Sequence, residues 1–374
     1  VAGRLGTGLG KPRESAVISL SALLTHFMFG AFLTVLSATL TYVLMTRGQL
    51  IDYPNERSSH GHPMPRSGGI AIVATFFVGI AIASLIGEET KIQEPYFLGF
   101  VFSAIAVTVV SFYDDAAGVS YLTKLLTQVI CACVCLAFGL VIDQIPIPFY
   151  GYVSLGWVGY PLTLLWIVGM TNAFNFMDGL DGLAAGAAVV ASAFYAVIAA
   201  FAGSNFVYLH SYVVLAAALG FLTFNRPPAR VFMGDIGSQF LGFTLAVLSV
   251  IGLQYDSAHV SLLVMPLLFF NFIWDTLFTL SHRLFRGQRA ADAHREHLYQ
   301  LLNRVGFSHG DVTLFHYGVA VAQGLGALLM VNIEGDARLL VFLPFACFQG
   351  IYTFFVYRRA LAGGLLVSAE GNGV

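Results

Sequence analysis

WVGYPLTLLWIVGMTNAFNFMDGLDGLAAGAAVVASAFYAVIAAFA, residues 157–202, reads as two apolar runs, 157–172 and 184–202, separated by a polar turn that holds two Asp-Gly pairs. Neither run carries a charge, and each is close to the length that crosses a bilayer core. Hydrocarbon offers no water to unpaired N–H and C=O groups, so only helices and closed barrels span it, and long unbroken apolar runs favour helices. Outward from this pair the pattern repeats, with further runs near 17–46, 68–87, 96–113, 123–142, 206–224, 238–253, 259–282, 312–332 and 339–357. The 374 residues are 57% hydrophobic and only 10% charged, with a mean hydropathy of +0.79, too little charge to cover a water-facing surface. The fold class is therefore all-α, a polytopic membrane bundle of eleven candidate spans covering 16–360, with flexible tails at 1–15 and 361–374. The first run is too long for the apolar core of a cleavable signal and reads as a tilted span.

Basic residues orient the bundle. With the loop after the first span in the cytoplasm, Arg4, Lys11, Arg13, Lys91 and Arg338 fall outside and the other thirteen of the eighteen Lys and Arg fall inside. Three of the five outside lie in the glycine-rich tail, so the orientation follows the majority in the other loops. A net charge of −2 and scattered arginines exclude nucleic acid as a partner. Of the four cysteines, Cys131, Cys133 and Cys135 sit inside an apolar run and read as small core residues rather than a disulfide framework or a metal site. No matched pair of broken helices suggests an inverted-repeat transporter. The outer loops are bland, with an acidic stretch from Glu88 to Glu94 and a small hairpin expected between Ile145 and Trp157.

Polar chemistry gathers in five segments on the expected cytoplasmic side. The first loop carries Arg57, His60 and Arg66 and enters the second span through Gly68-Gly69. Bare N–H groups at a helix start attract phosphate, so this loop is expected to meet a phosphate or lipid head; a plain structural turn is the alternative. The third span ends in Asp114-Asp115, with Lys124 ten residues on, and adjacent carboxylates at a membrane boundary rarely persist without use. In the central turn, Asn172, Asn175, Asp178 and Asp181 recur at steps of three. Over nine residues a straight helix drifts by about half a turn, so Gly179 and Gly182 are expected to bend the segment into a polar turn at the mouth of the bundle. The fourth segment runs from Asn225 through Phe232-Met-Gly-Asp235 to Ser238. Five carboxylates at one end of a bundle would repel one another. A hard divalent cation is the natural neutraliser, and an oxygen-only donor set favours Mg²⁺ over Zn²⁺. In the fifth segment, His294-Arg-Glu-His297 is not a zinc-protease motif; both histidines are expected on one helix face, with Arg295 beside them, as donors to a phosphate. Asp275 lies within the ninth span, where either pairing with an arginine or Lys124 or a direct part in the site is expected.

At these segments the chain resembles the polyprenyl-phosphate N-acetylhexosamine-1-phosphate transferases, glycosyltransferase family 4, which include the phospho-N-acetylmuramoyl-pentapeptide translocases. The resemblance rests on Asp114-Asp115 with Lys124, on the Asn-x-x-Asn-x-x-Asp-Gly-x-Asp-Gly run from Asn172, and on the Asn-x-Pro-Pro-Ala-x-x-Phe-Met-Gly-Asp-x-Gly-Ser run from Asn225. It implies transfer of a phospho-sugar from a UDP-N-acetyl sugar to undecaprenyl phosphate with release of UMP, at the cytoplasmic face of a bacterial inner membrane. Mg²⁺ is the implied cofactor, with Mn²⁺ as a substitute, and a homodimer is compatible with the family. Carried over by position, Asp235 and Asp115 are metal ligands, and Asp114, Asp115, Lys124 and Asp178 are catalytic. Asn172, Asn175, Asp181, Asn225, Phe232, His294, Arg295 and His297 bind nucleotide or sugar, Phe232 by stacking on uracil. Arg57, His60, Arg66, Gly68 and Gly69 meet the lipid phosphate. The last loop, Ala-His294-Arg-Glu-His297-Leu-Tyr299, departs from the consecutive histidines of the pentapeptide translocases. It looks like the subgroup that starts O-antigen synthesis on N-acetylfucosamine, N-acetylquinovosamine or N-acetylglucosamine. A pentapeptide donor is the alternative within the family. A cation-coupled transporter would need its carboxylates at mid-membrane rather than at span ends, and a CDP-alcohol phosphotransferase would need Ala-Arg after its Asp-Gly.

Overall fold

The computed structural model describes residues 20–48, 50–54, 61–87, 93–254, 259–288, 294–333 and 335–366. Arg57, His60 and the expected 1–15 tail lie outside them. The chain is a bundle of helices: α1 (Leu20–Arg47), α2 (Gly68–Ile86), α3 (Pro95–Ala117), α4 (Tyr121–Ala137), α5 (Gly159–Phe176), α6 (Leu183–Ala202), α7 (Asn205–Asn225), α8 (Gly234–Gln254), α9 (Val264–Leu268), α10 (Phe270–Phe285), α11 (Leu298–Arg304), α12 (His309–Val331) and α13 (Phe342–Ala362). Strands are confined to two antiparallel pairs, β1 (Ile51–Asp52) with β2 (Met64–Pro65), and β3 (Gln144–Ile147) with β4 (Gly151–Ser154), the latter being the hairpin expected before Trp157.

Helix ends follow local chemistry. Pro95 opens α3, where a missing N–H costs nothing. The Ser120 hydroxyl accepts from the Thr123 N–H at the start of α4, and Ser308 and Asp311 form a reciprocal capping box at α12. The central polar turn does break the helix, since α5 stops at Phe176 and α6 resumes at Leu183.

Among the described residues, eight helices are long and apolar enough to cross a membrane: α1, α2, α3, α6, α7, α8, α12 and α13. The fourth run is an apolar helix of 17 residues. The 259–282 run, expected as one span, is two helices, because the chain turns out of helical geometry at Phe269 between α9 and α10. The segment from 361 begins inside α13, and Leu366 is buried.

Helix α8 is the axis of the bundle, buried from Gly234 to Leu253 and flanked by α2, α3, α5 and α7. Helix α6 is rich in buried alanines and packs against α7 and α12, small residues being the usual device for close approach where lipid supplies no hydrophobic drive between helices. Two apolar clusters result. The larger joins α1–α9 with Phe272 of α10, Tyr299 of α11 and part of α12, and a smaller one gathers α11 and α13 around Leu298, Leu301, Val356 and Ala360, with Trp274 and Phe278 of α10 packed against it.

Candidate active site

At the end of the bundle where α8 begins, Asp235 stands in the first turn, buried to 8% exposure. Two cations hold it. Arg66 Nη2 lies 3.1 Å from Asp235 Oδ1, and Lys124 Nζ lies 3.0 Å from Oδ2. Each cation also reaches the aspartate pair, Arg66 Nε at 3.0 Å from Asp115 Oδ1 and Lys124 Nζ at 2.8 Å from Asp114 Oδ2. Asp114, Asp115 and Asp235 each bring one carboxylate oxygen within 4.8 Å of the others, the described group best able to hold a metal ion. Three carboxylates against two cations leave one negative charge uncompensated. Isolated burial of such ions would cost several kcal/mol each, so the mutual pairing is what makes the cluster tenable.

Asp115 also caps α8. The N–H groups of Asp235 and Ile236 donate to its Oδ1 and Oδ2, at 3.0 and 3.1 Å, so a carboxylate from α3 faces the positive end of the central helix. Gly234 makes this approach possible. It has φ +71°, and a Cβ there would lie 2.4 Å from Asp115 Oδ2. Asp114 accepts from the Val119 N–H at 2.7 Å, which fixes the turn into α4 and brings Lys124 round.

The double glycine does not act as expected. The Gly68 and Gly69 N–H groups, predicted to meet a lipid phosphate, donate to the carbonyls of Phe232 and Met233 at 3.1 and 2.9 Å. A Cβ on Gly69 would sit 2.3 Å from the Gly237 backbone nitrogen and 2.5 Å from the Met233 carbonyl. The pair is a close-packing device: it lets α2 start against α8, while the Phe232 N–H donates to the Pro65 carbonyl, so that Arg66 is delivered to Asp235. Of the five residues predicted for the lipid phosphate, only Arg66 is placed at the cluster; Arg57 and His60 are outside the described residues.

The asparagines are engaged within the fold. Asn172 donates to Gln128 Oε1, Gln128 to Gln239 Oε1, and Gln239 to Asp235 Oδ2, a relay that orients the carboxylate. Gln128 and Gln239 were not predicted, although each lies four residues after a site residue, Lys124 and Asp235, on the same helix face. Asn175 donates to Ser238 Oγ, which donates to the Gly234 carbonyl. Asn225 accepts from the Gly182 N–H and donates to the Val231 carbonyl, joining the two polar turns. Asp181 accepts from the Ala229 N–H at 3.0 Å and lies 3.3 Å from His309 Nδ1, so it too ties these turns together. Asp178 differs. Among the described residues its carboxylate has no hydrogen bond or ion pair, and burial, then the Asp235 and Asp115 charges, push it up to about 7 against the pull of Arg66. Phe232 is partly buried, and its backbone is tied to Pro65 and Gly68.

The fifth segment corrects two expectations. His294 is not helical, and His297 is the residue before α11, so the two do not share a helix face. His297 Nδ1 lies 3.0 Å from Asp275 Oδ1, and Asp275 also accepts from the Leu298 and Tyr299 N–H groups and from Thr279. Asp275 therefore pairs with His297, not with an arginine or Lys124, and pins the loop to α10 across 22 residues. The Tyr299 hydroxyl donates to the Phe176 carbonyl at 2.8 Å, seating the loop over the Asp178 turn. Burial, then the neighbouring His297 and Arg283, lower His294 to about 4, so it is neutral at pH 7. The Arg295 guanidinium has no hydrogen bond or ion pair among the described residues; Arg304 donates to its carbonyl at 3.0 Å.

With this geometry in place, comparison with known proteins finds a match to the model for glycosyl transferase family 4 over residues 97–253. A probable undecaprenyl-phosphate N-acetylglucosaminyl 1-phosphate transferase of Bacillus subtilis (strain 168) is 36% identical over 282 residues, 75% of this chain and 77% of that one. A decaprenyl-phosphate N-acetylglucosaminephosphotransferase of Mycobacterium leprae (strain TN) is 30% identical over 369 residues, 88% of this chain and 87% of that one. A phospho-N-acetylmuramoyl-pentapeptide-transferase of Leuconostoc citreum (strain KM20) is 34% identical over 214 residues, 53% of this chain and 64% of that one.

Proposed function

The chain belongs to glycosyl transferase family 4, and from that premise we propose that it transfers an N-acetylhexosamine 1-phosphate from a UDP-sugar to undecaprenyl phosphate, releasing UMP. Transfer of a sugar phosphate to a polyprenyl phosphate is the reaction named for its long relatives. The observation that carries the reading is Asp235, held between Arg66 and Lys124 beside Asp114 and Asp115 at one end of a membrane bundle. Two anions that must react need their charge neutralised and their atoms aligned more than they need covalent help.

In this reading an oxygen of the lipid phosphate attacks the sugar-bearing phosphorus in line, and the bond to the uridylyl phosphate breaks. Lys124 and Arg66 offset the charge of the meeting phosphates, and Asp114 and Asp178 orient the lipid phosphate or take its proton. Phe232 stacks on the uracil, with Asp181 and the turn it secures beside it. The donor set suits Mg²⁺: hard oxygens only, an uncompensated negative charge, and in Asp178 a further carboxylate without a partner among the described residues. Asp235 and Asp115 would hold the ion, with Asp114 close by. When bound, it supplies positive charge to the diphosphate. The excess of basic residues in the loops on this side supports a cytoplasmic active site, and the reading takes the membrane to be a bacterial inner membrane.

The named relatives point to N-acetylglucosamine as the first sugar to test. A 6-deoxy sugar and a place in O-antigen synthesis rest on the form of the 294–299 loop. Purified protein, undecaprenyl phosphate and a panel of UDP-N-acetyl sugars, with UMP release measured, test the reading. UMP formed only with lipid acceptor present supports it. Release with UDP-N-acetylmuramoyl-pentapeptide alone moves the chain to the other branch, and no release with any donor overturns the reading.

A further inference from the structure

Helix α11 has two ends with different neighbours. Its first residues carry the His297–Asp275 clamp and Tyr299, next to the Asp178 turn. At its other end, Leu302 and Val305 form one wall of a groove of about 650 Å³, closed by Val312 and Phe315 of α12 and by Tyr352 and Phe355 of α13. That volume is in the range of small-molecule cavities, about 300–1,000 Å³. The groove lies on the seam between the two apolar clusters: Val312 belongs to the larger, Val356 to the smaller, and Leu302 packs against both. Its flanks are residues that a bilayer would cover, with Leu314 71%, Ile351 59% and Phe355 63% exposed. None of the residues that line it belongs to the Asp235 cluster.

The groove is apolar except at its rim, where Arg359 stands in the last turn of α13. Among the described residues the Arg359 guanidinium has no hydrogen bond or ion pair. Asp311, also at the rim, is engaged in the capping box, accepting from the Ser308 N–H and hydroxyl at 3.1 and 2.6 Å. Arg358 lies over the Phe354 ring, 5.8 Å from its centroid, away from the groove lining. An apolar trough flanked by exposed apolar side chains and ending in an uncommitted guanidinium fits an amphiphile with an anionic head. The reacting lipid phosphate has its own cations in Arg66 and Lys124, and none of the groove side chains pairs with them.

We propose that an anionic phospholipid of the leaflet on the active-site side seats an acyl chain in this groove and its phosphate on Arg359, and through α11 steadies the 294–299 loop. Binding, not turnover, is the deciding readout, so the proposal stands or falls independently of the assigned reaction. Native mass spectrometry of the full chain, exchanged into phosphatidylglycerol, phosphatidylcholine or undecaprenyl phosphate, supplies it. The wild type is expected to retain phosphatidylglycerol about fivefold better than phosphatidylcholine, the contribution of one basic residue at a lipid surface. Arg359→Gln should lose that preference and Arg358→Gln should keep it. Val305→Trp, which fills the trough, should lose the bound lipid with Arg359 intact; if it does not fold, the two arginine variants decide. Equal retention of both phospholipids, equal losses in the two arginine variants, or one-for-one displacement of phosphatidylglycerol by undecaprenyl phosphate would overturn the proposal.

Discussion

The start of α8 and the 294–299 loop meet at the same turn but are built in opposite ways. Arg66, Lys124 and Asp235 are each paired twice, the backbone is fixed by Gly69 and Gly234, and the whole lies on the large apolar cluster. The loop is held to α10 by the Asp275–His297 pair, adjoins the smaller cluster at Leu298 and reaches the larger one through Tyr299, and its Arg295 guanidinium is uncommitted among the described residues. A reaction common to many donors needs the first kind of region, rigid and pre-neutralised. Recognition of one donor among many suits the second, where side chains change without disturbing the core.

The largest effect expected from breaking this contrast is at Asp235. In Asp235→Asn, Arg66 and Lys124 lose their shared partner, and turnover should fall by about 10²–10³-fold or more for every donor. UMP release by folded protein checks this; turnover near that of wild type would remove Asp235 from the site. Gly69→Ala comes next. Its methyl would meet the Gly237 nitrogen and Met233 carbonyl, a backbone clash expected to cost about 1–3 kcal/mol and to draw Arg66 away from Asp235. Thermal unfolding in detergent measures it, and an unchanged midpoint would refute the close-packing role.

The helical class was legible because membrane helices need long apolar runs, and the carboxylates that gather at Asp235 stood out because charge at span ends is conspicuous. The role of the double glycine was not. A glycine that frees an N–H for a ligand and one that admits a neighbouring helix look alike in sequence, and only the partner, here Met233, distinguishes them. The partner of Asp275 was hidden for a similar reason, since His297 is remote in the chain and hydropathy carries no contact information. The break between α9 and α10 is invisible to hydropathy, which stays apolar through it; Pro266, three residues before the turn at Phe269, is the mark the sequence carries. Gln128 and Gln239, by contrast, were within reach of i+4 arithmetic from Lys124 and Asp235.

Smaller effects sharpen the contrast. Phe232→Ala should weaken UDP-sugar binding by about 1–3 kcal/mol, roughly 5- to 150-fold, alike for all donors because the base is common to them. Calorimetry reads it, and an unchanged affinity would leave Phe232 as packing alone. His294 has the smallest expected effect. Its folded value of about 4 lies below the ordinary value near 6.5, so in that window the unfolded chain takes up a proton that the fold refuses. Stability is therefore full above about 6.5 and declines as pH falls toward 4. His294→Gln should flatten that decline in a pH series of thermal midpoints, and an identical slope would show that other groups set it.

The division of labour between the two regions is tested most directly by running the same UDP-N-acetyl sugar panel on wild type, Asp235→Asn and Arg295→Ala, with UMP release as the readout. Asp235→Asn should lower every donor together, whereas Arg295→Ala should change the order of the donors. A uniform fall in Arg295→Ala would contradict the account and make the 294–299 loop a clamp on the diphosphate, indifferent to the sugar.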